Sequence, residues 1–450
     1  MIIGSVLSAL AGPARQPVRW GLFHGLPAAM MTLAAARGDL QSRLVVDPAL
    51  RDPDRLQELC DQVRASGPFH RSKFTRMTTS LPVVREVLSS PDVTSGAFRP
   101  GSGPVAHLAG WADEPQRLTP ISPPSLLVAD PPDHTRYRRL VSRVFTARAV
   151  EALRERTRQI AEDLLDGLER DQAAAPGEPV DLVERYCGIL PLTVISEILG
   201  VPAEDLERVR ALGAATAPVI DLGLSFGRFR RVEAALDEFD AWLAAHLASL
   251  RADPGDDLLS RLVAVRDEEG GLDDVELRSV AGLVLVAGFE TTVNLLGNGI
   301  ALLCEHPDQL ARLQEEPDLW SNAVDEVLRV DPPVLLTGRF CVRDTEIAGV
   351  PLARGDVVTT ILAGANRDPD VFEDPHAFDV ARANARDHVS FSSGRHFCLG
   401  AALARMEGEV GLRALFDRFP DLVLAPGSRR RATRILRGYA ALPSTLGRAV

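Results

Sequence analysis

Residues 391–400 read Phe391-Ser392-Ser393-Gly394-Arg395-His396-Phe397-Cys398-Leu399-Gly400. A cysteine that ligates a metal must be held as the thiolate. Nearby backbone N–H groups and a helix N-terminus favour that state. It must also sit on a turn that bares its sulfur on one side, and glycines such as Gly394 and Gly400 supply such turns. A helix is predicted to start near Leu399 and to end before Pro420, so Cys398 stands at its mouth. On the cysteine and glycines alone, a buried cysteine in a turn is the better reading. The full spacing Phe-x-x-Gly-x-His-x-Cys-x-Gly reverses that preference.

The remaining cysteines, Cys60, Cys187, Cys304 and Cys341, are widely spaced and form no CxxC pair. That argues against a disulfide framework or a zinc site and makes them small buried hydrophobes. Net charge is −12, with no basic tail, which disfavours a nucleic-acid partner. Of the basic residues, Lys73 alone is lysine, which reads as coding bias. The apolar runs Met1 to Gly12 and Leu26 to Ala36 are too short to span a bilayer. No integral membrane anchor is expected, and the default location is cytoplasmic; a weak membrane-surface contact through the N-terminal region stays open. No linker or repeat splits the 450 residues. We therefore expect one domain over 1–450, with residues 1–45 an extension of undetermined structure.

Away from that motif the chain reads as mostly helical, with a minor β component. Thr146 is placed as a helix cap. A long helix is expected from Asp273 or Asp274 to about Glu305, apolar on nearly every face from Leu283 to Leu303, hence central and buried. Within it lies Ala287-Gly288-Phe289-Glu290-Thr291-Thr292. Glycine inside a helix costs about 1 kcal/mol relative to alanine, and a buried glutamate costs more unless paired. Both in one turn point to a functional site. The plainer alternative is a glycine admitting a neighbouring helix and a threonine bonded to its own backbone. Short strands are expected at Arg339 to Val342, Thr345 to Ile347 and Val357 to Ile361.

Two further groups stand out. Glu326 and Arg329 are three apart on a helix that Asp331-Pro332-Pro333 ends; alone, they read as a solvated pair. His134 and Arg138 are four apart and share a helix face in the basic stretch Asp130 to Arg139.

At these four groups the chain closely resembles the cytochrome P-450 family, over roughly Asp130 to Leu442; the first 120 residues match only loosely. The resemblance implies that family's mainly α fold, with haem between the long central helix and the cysteine loop. It makes Cys398 the iron ligand, within a cofactor-binding segment that includes Phe391 and Gly400. His134, Arg138, Arg339 and His396 match positions that hold the haem propionates. Ala287, Glu290 and Thr291 match the oxygen groove, with Thr291 bonding dioxygen and Glu290 relaying protons. Glu326 and Arg329 become a buried lock, joined by the arginine of the segment Pro375 to Arg382. Ser392 departs from the glycine many bacterial members carry there, which puts only the local turn in doubt.

The implied cofactor is haem b (heme b, iron protoporphyrin IX). The implied activity is monooxygenation of a hydrophobic organic substrate by dioxygen. External ferredoxin and ferredoxin reductase supply electrons, docking on a basic patch of Arg136, Arg139 and Arg143. Pocket walls are expected from Phe98 to Trp111, Ala217 to Phe226, Val284, Ala287, Leu335 to Thr337, and Ala441 to Leu442. The alternatives are a haem-thiolate peroxygenase or isomerase, which tends to lose the acid–alcohol pair, and a non-enzymatic haem sensor.

Overall fold

A computed structural model describes residues 15–96, 107, 111–112, 117–142, 145–264 and 271–449. Met1 to Gly12, Phe98, Leu108 and Arg143 lie outside the described residues. Among the described residues the helices of seven residues or more are α1 (Leu26–Ala35), α2 (Leu40–Val46), α3 (Pro53–Arg64), α4 (Leu81–Ser89), α5 (Asp133–Ser142), α6 (Ala147–Ala174) and α7 (Leu190–Leu199). They continue with α8 (Leu206–Thr216), α9 (Phe226–Ala252), α10 (Leu258–Ala264), α11 (Asp274–Glu305), α12 (Pro307–Glu315), α13 (Trp320–Val330) and α14 (Ala401–Arg418).

α11 is the axis of the molecule. Asp273 caps it, its carboxylate accepting from the N–H of Val275 and Glu276, while Glu276 bonds back to the Asp273 N–H. That reciprocal box fixes where the helix begins. From Thr292 to Leu303 every residue is buried, so this stretch has neighbours on all sides. α7 closes on it at Gly288, where a Cβ would lie 2.9 Å from Ile195, and α14 at Gly299, where it would lie 2.7 Å from Leu412. Among the described residues α11 is the one helix long and apolar enough to cross a membrane. Its burial in the fold accounts for that composition equally well.

Thr146 caps α6 by accepting from the Ala149 N–H at 3.3 Å. α6 runs beside α14, tied nearby by Tyr186, whose hydroxyl donates to the Gly411 carbonyl at 2.7 Å. α2 belongs to the body of the fold, because Leu40 and Leu44 pack with Leu56, Leu59, Leu335 and Ile361.

The strands up to the cysteine loop are β1 (His70–Arg71), β2 (Arg76–Thr78), β3 (Val93–Thr94), β4 (Val180–Asp181), β5 (Leu336–Cys341), β6 (Thr345–Ile347), β7 (Val350–Leu352) and β8 (Val357–Ile361), and the main sheet has the order β1-β2-β8-β5-β3. β2 and β8 run parallel, the other pairs antiparallel. β5 begins three residues before the expected start, because Leu336 already pairs with Ile361. Near the C-terminus, a two-residue strand at Arg429–Arg430 pairs with Tyr439–Ala441 to form a hairpin.

Glu326 and Arg329 are fully buried on α13, bridged at 2.7 and 2.8 Å. Arg382 reaches the same carboxylate at 3.1 Å, and the Asp379 N–H donates to it at 3.0 Å. Arg329 spends its remaining donors on the carbonyls of Asn366, Pro375 and Ala377. The solvated-pair reading of Glu326 and Arg329 is therefore overturned. The lock pins the irregular 366–382 segment beneath α13, and with it the approach to the Cys398 loop.

Candidate functional site

The Cys398 loop is built on strained but well-anchored backbone. The Cys398 N–H donates to the Phe391 carbonyl at 2.8 Å, closing the loop on itself. Gly394 has φ +65, and a Cβ there would meet the Leu88 carbonyl at 2.7 Å, so only glycine fits. Ser392 also lies in the left-handed region, φ 63, and its buried hydroxyl has no partner. The Phe391 ring sits under the guanidinium of Arg405, 4.6 Å from its centroid.

Cys398 is the exposed cysteine of the five, while Cys60, Cys187 and Cys341 are buried. Yet protein surrounds its sulfur closely enough that burial raises the thiol pKa, opposed by an N–H···S bond from Gly400 and by Arg138 and Arg405. Surface that is open yet surrounded is the floor of a recess. The two opposing cations and the Gly400 N–H are what a thiolate requires once a metal replaces the proton.

Beside the sulfur the fold gathers cations. The imidazoles of His134 (α5) and His396 lie 4.5 Å apart, centroid to centroid. His396 Nε2 is 3.0 Å from the Ser95 hydroxyl. Burial, then His134, Arg339, Arg395 and Arg138, push His396 down to about 3. Burial and Arg138 lower His134, whose Nε2 is buried without a partner. Arg339 on β5 is buried, donates to Thr337 Oγ1 and the Gly338 carbonyl at 2.8 Å each, and is pushed down to about 10 by burial and Arg395. Among the described residues no carboxylate lies within ion-pair distance of Arg339. Buried Arg339, with Arg138 and Arg395 nearby and two neutral imidazoles of which one has an orphaned nitrogen, makes an anion site. A cofactor carrying carboxylates satisfies this donor set.

The opposite wall is one face of α11. Leu283, Val284 and Thr291 are half-buried and Ala287 is exposed, on a helix whose next turns are all buried. Leu283 and Val284 share an apolar cluster with Leu399, which ties this face to the cysteine loop. Both elements of the plainer alternative are present. Gly288 admits Ile195, and Thr291 Oγ1 donates to the Ala287 carbonyl at 2.8 Å. What that alternative does not explain is the open stripe of Ala287 and Thr291 on a core helix.

Glu290 is buried and forms an ion pair with Arg431, which projects from the C-terminal hairpin and also donates to the Tyr439 carbonyl at 3.2 Å. The sequence reading missed Arg431; the run Arg429-Arg430-Arg431 was its signal. Arg395 and Ser95 were missed as well. Other expectations change. Arg136 does not stand free for docking: it pairs with Glu276 and bonds the Gly271 carbonyl, so the three-arginine patch does not hold as drawn. Leu442 is a fully buried core residue, not a pocket wall.

An open cysteine beside an anion-binding cluster, with the open Ala287–Thr291 stripe of the central helix nearby, is the arrangement a thiolate-ligated haem protein needs. The sequence profile described as Cytochrome P450 matches residues 219–434. The chain is 49% identical over 437 residues to cytochrome P450 140 of Mycobacterium tuberculosis, covering 96% of this chain and 98% of that one. It is 38% identical over 408 residues to 6-deoxyerythronolide B hydroxylase of Saccharopolyspora erythraea, covering 86% and 94%. The solved ligand-free structure of CYP164A2 from Mycobacterium smegmatis matches with a TM-score of 0.79 at 33% identity, covering 90% of this chain and 99% of that one. The chain belongs to the cytochrome P450 family. It is an oxidoreductase of the monooxygenase class that takes haem, an organic substrate, dioxygen and redox partners.

Proposed function

We propose that the chain is a single-domain, cytoplasmic monooxygenase. It holds haem b through Cys398 and inserts one oxygen atom into a medium-sized hydrophobic substrate, such as a terpenoid, steroid, acyl chain or polyketide. The observation that carries this reading is the open Ala287–Thr291 stripe, directly before the wholly buried stretch Thr292 to Leu303 and next to the Glu290–Arg431 pair.

When bound, the haem supplies reductive activation of dioxygen, with the thiolate favouring O–O cleavage. His134, Arg138, Arg339 and His396 would hold its propionates, and the buried charge of Arg339 would be neutralised in return. Phe391 and Gly400 shape the loop, and Gly400 donates to the sulfur. Thr291 Oγ1 can release the Ala287 carbonyl and donate into the recess. Glu290, held by Arg431 at the solvent side, would relay to Thr291 a proton taken up from solvent. Leu336 and Thr337 on β5, with Val284 and Ala287, give apolar walls. Electrons come from a ferredoxin and its reductase.

Turnover with a surrogate ferredoxin and reductase tests this. Oxygen-dependent product formation with electron use coupled to product is expected. Product formed equally well from peroxide without dioxygen overturns it. In parallel, Cys398→Ala should abolish the thiolate-type spectrum of the reduced, CO-bound protein, and an unchanged spectrum removes the ligand assignment.

A further inference from the structure

The C-terminal hairpin closes a small cleft whose other walls come from α2 and the turn at 48–51. The Leu335 N–H donates to the Ile435 carbonyl at 2.8 Å, which holds the hairpin against the start of β5. Leu44, Leu50, Leu335 and Leu436 form the apolar floor. Every charged side chain that lines the cleft is an arginine: Arg51, Arg430, Arg431, Arg434 and Arg437. In a chain of net charge −12, an arginine-lined cleft without a lining acid calls for a reason.

Part of that charge is already compensated. Asp331 takes Arg430 at 2.7 Å and Arg437 at 2.8 Å, and Glu290 takes Arg431. Arg51 and Arg434 differ: among the described residues neither has a carboxylate within ion-pair distance. Arg434 donates to the Asp47 and Val46 carbonyls at 2.7 and 3.2 Å, which position the guanidinium and leave its charge. Arg51 reaches the Ala432 carbonyl at 3.4 Å, and its Nε is buried without a partner. The nearby Asp221 is taken up by the backbone, accepting from the Arg434 and Ile435 N–H groups at 3.1 Å. Burial and then Arg51 lower the Arg434 pKa, against the pull of Asp221 and Asp47. Two like charges held this close, one with an orphaned donor, make an anion-binding pair.

The planar fork of arginine fits a carboxylate or a phosphate. The floor decides between them. Inorganic phosphate gains nothing from four leucines, whereas an organic acid can lay its apolar body on them. We propose that this cleft binds an amphiphilic organic acid, its carboxylate clamped by Arg51 and Arg434 and its apolar body over Leu50, Leu335 and Leu436. The site shares no residue with the cationic cluster around Arg339. Arg431 lines the same cleft, so the bound carboxylate would compete with Glu290 for it. That consequence rests on the proton route proposed above; the binding itself does not.

The test is calorimetric titration of the haem-loaded full chain with decanoate, with decanol and with inorganic phosphate. Decanol has the same apolar body without the charge. Decanoate is expected to bind about tenfold more tightly than decanol, a preference that shrinks as salt rises. Arg51→Gln with Arg434→Gln should weaken decanoate by about tenfold and leave decanol unchanged, with the CO-bound spectrum intact. Should the pair destabilise the hairpin, Arg51→Gln alone serves, and should remove about half of the preference on a logarithmic scale. Arg37→Gln, at an exposed arginine outside the cleft, should keep the preference whole. Equal affinity for decanoate and decanol in the parent, or a preference that survives the arginine substitutions, overturns the proposal. So does inorganic phosphate that binds as tightly as decanoate, which assigns the cleft to a small inorganic anion.

Discussion

Arg431 reaches from the C-terminal hairpin to the carboxylate of Glu290 on the central helix, 141 residues away in sequence. Glu290 is almost wholly buried while Arg431 keeps a partly exposed guanidinium. The pair is thus a link from solvent to the turn that carries Thr291. Arg431→Met would leave a buried carboxylate unpaired. Removing one partner of a buried pair costs about 3–5 kcal/mol, and solvent contact at Arg431 lowers this to roughly 2 kcal/mol. We expect that loss in urea unfolding, together with electrons diverted from product to peroxide. Thr291→Ala should divert electrons likewise with little loss of stability. Wild-type coupling in both variants would remove the proton route.

Ser392 holds a backbone conformation that suits glycine, and its hydroxyl is buried without a partner. The left-handed conformation costs a non-glycine residue roughly 1–2 kcal/mol, and an unsatisfied buried hydroxyl adds to that. Glycine's larger unfolded-state entropy offsets part of the relief. Ser392→Gly should therefore stabilise the protein by about 1 kcal/mol, measured by urea unfolding with the CO-bound spectrum intact. A less stable variant would show that the serine makes a contact of its own.

His396 illustrates how the cationic cluster couples to pH. The unfolded imidazole takes a proton near 6.5, whereas burial and the surrounding cations delay protonation of the folded one to about 3. The unfolded chain binds more protons across that window. Stability from a neutral His396 is thus complete above about pH 6.5 and is lost progressively as pH falls toward about 3. The haem-free protein should lose stability between about pH 7 and about pH 5. Haem should flatten the loss, because propionates favour the protonated ring. Parallel curves with and without haem would sink the propionate assignment of His396.

Glu326 accepts from Arg329, Arg382 and the Asp379 N–H with no solvent access. Glu326→Ala strands two buried guanidiniums and should cost about 3–5 kcal/mol. Faster haem loss should accompany it, followed by transfer to an acceptor protein. A change under about 1 kcal/mol would demote the lock to a bystander.

Sequence alone determined the features carried by local covalent pattern. The spacing around Cys398 requires particular residue types at fixed offsets, and the run Leu283 to Leu303 is too apolar to be anywhere but central. A helix start at Asp273 or Asp274 and the Thr146 cap were legible for the same reason: each is decided within four residues. Tertiary structure decided everything that depends on which distant groups meet. Arg431 was one of three successive arginines until the hairpin aimed it at Glu290. Arg136 looked like a docking cation until Glu276 took it. Leu442 and Ala287 are both small or apolar in the sequence, yet packing buries the first completely and leaves the second facing a recess. The physical reason is that burial and ion pairing are sums over neighbours far apart in the chain, and hydrophobic pattern specifies a helix's buried side without naming what lies across from it.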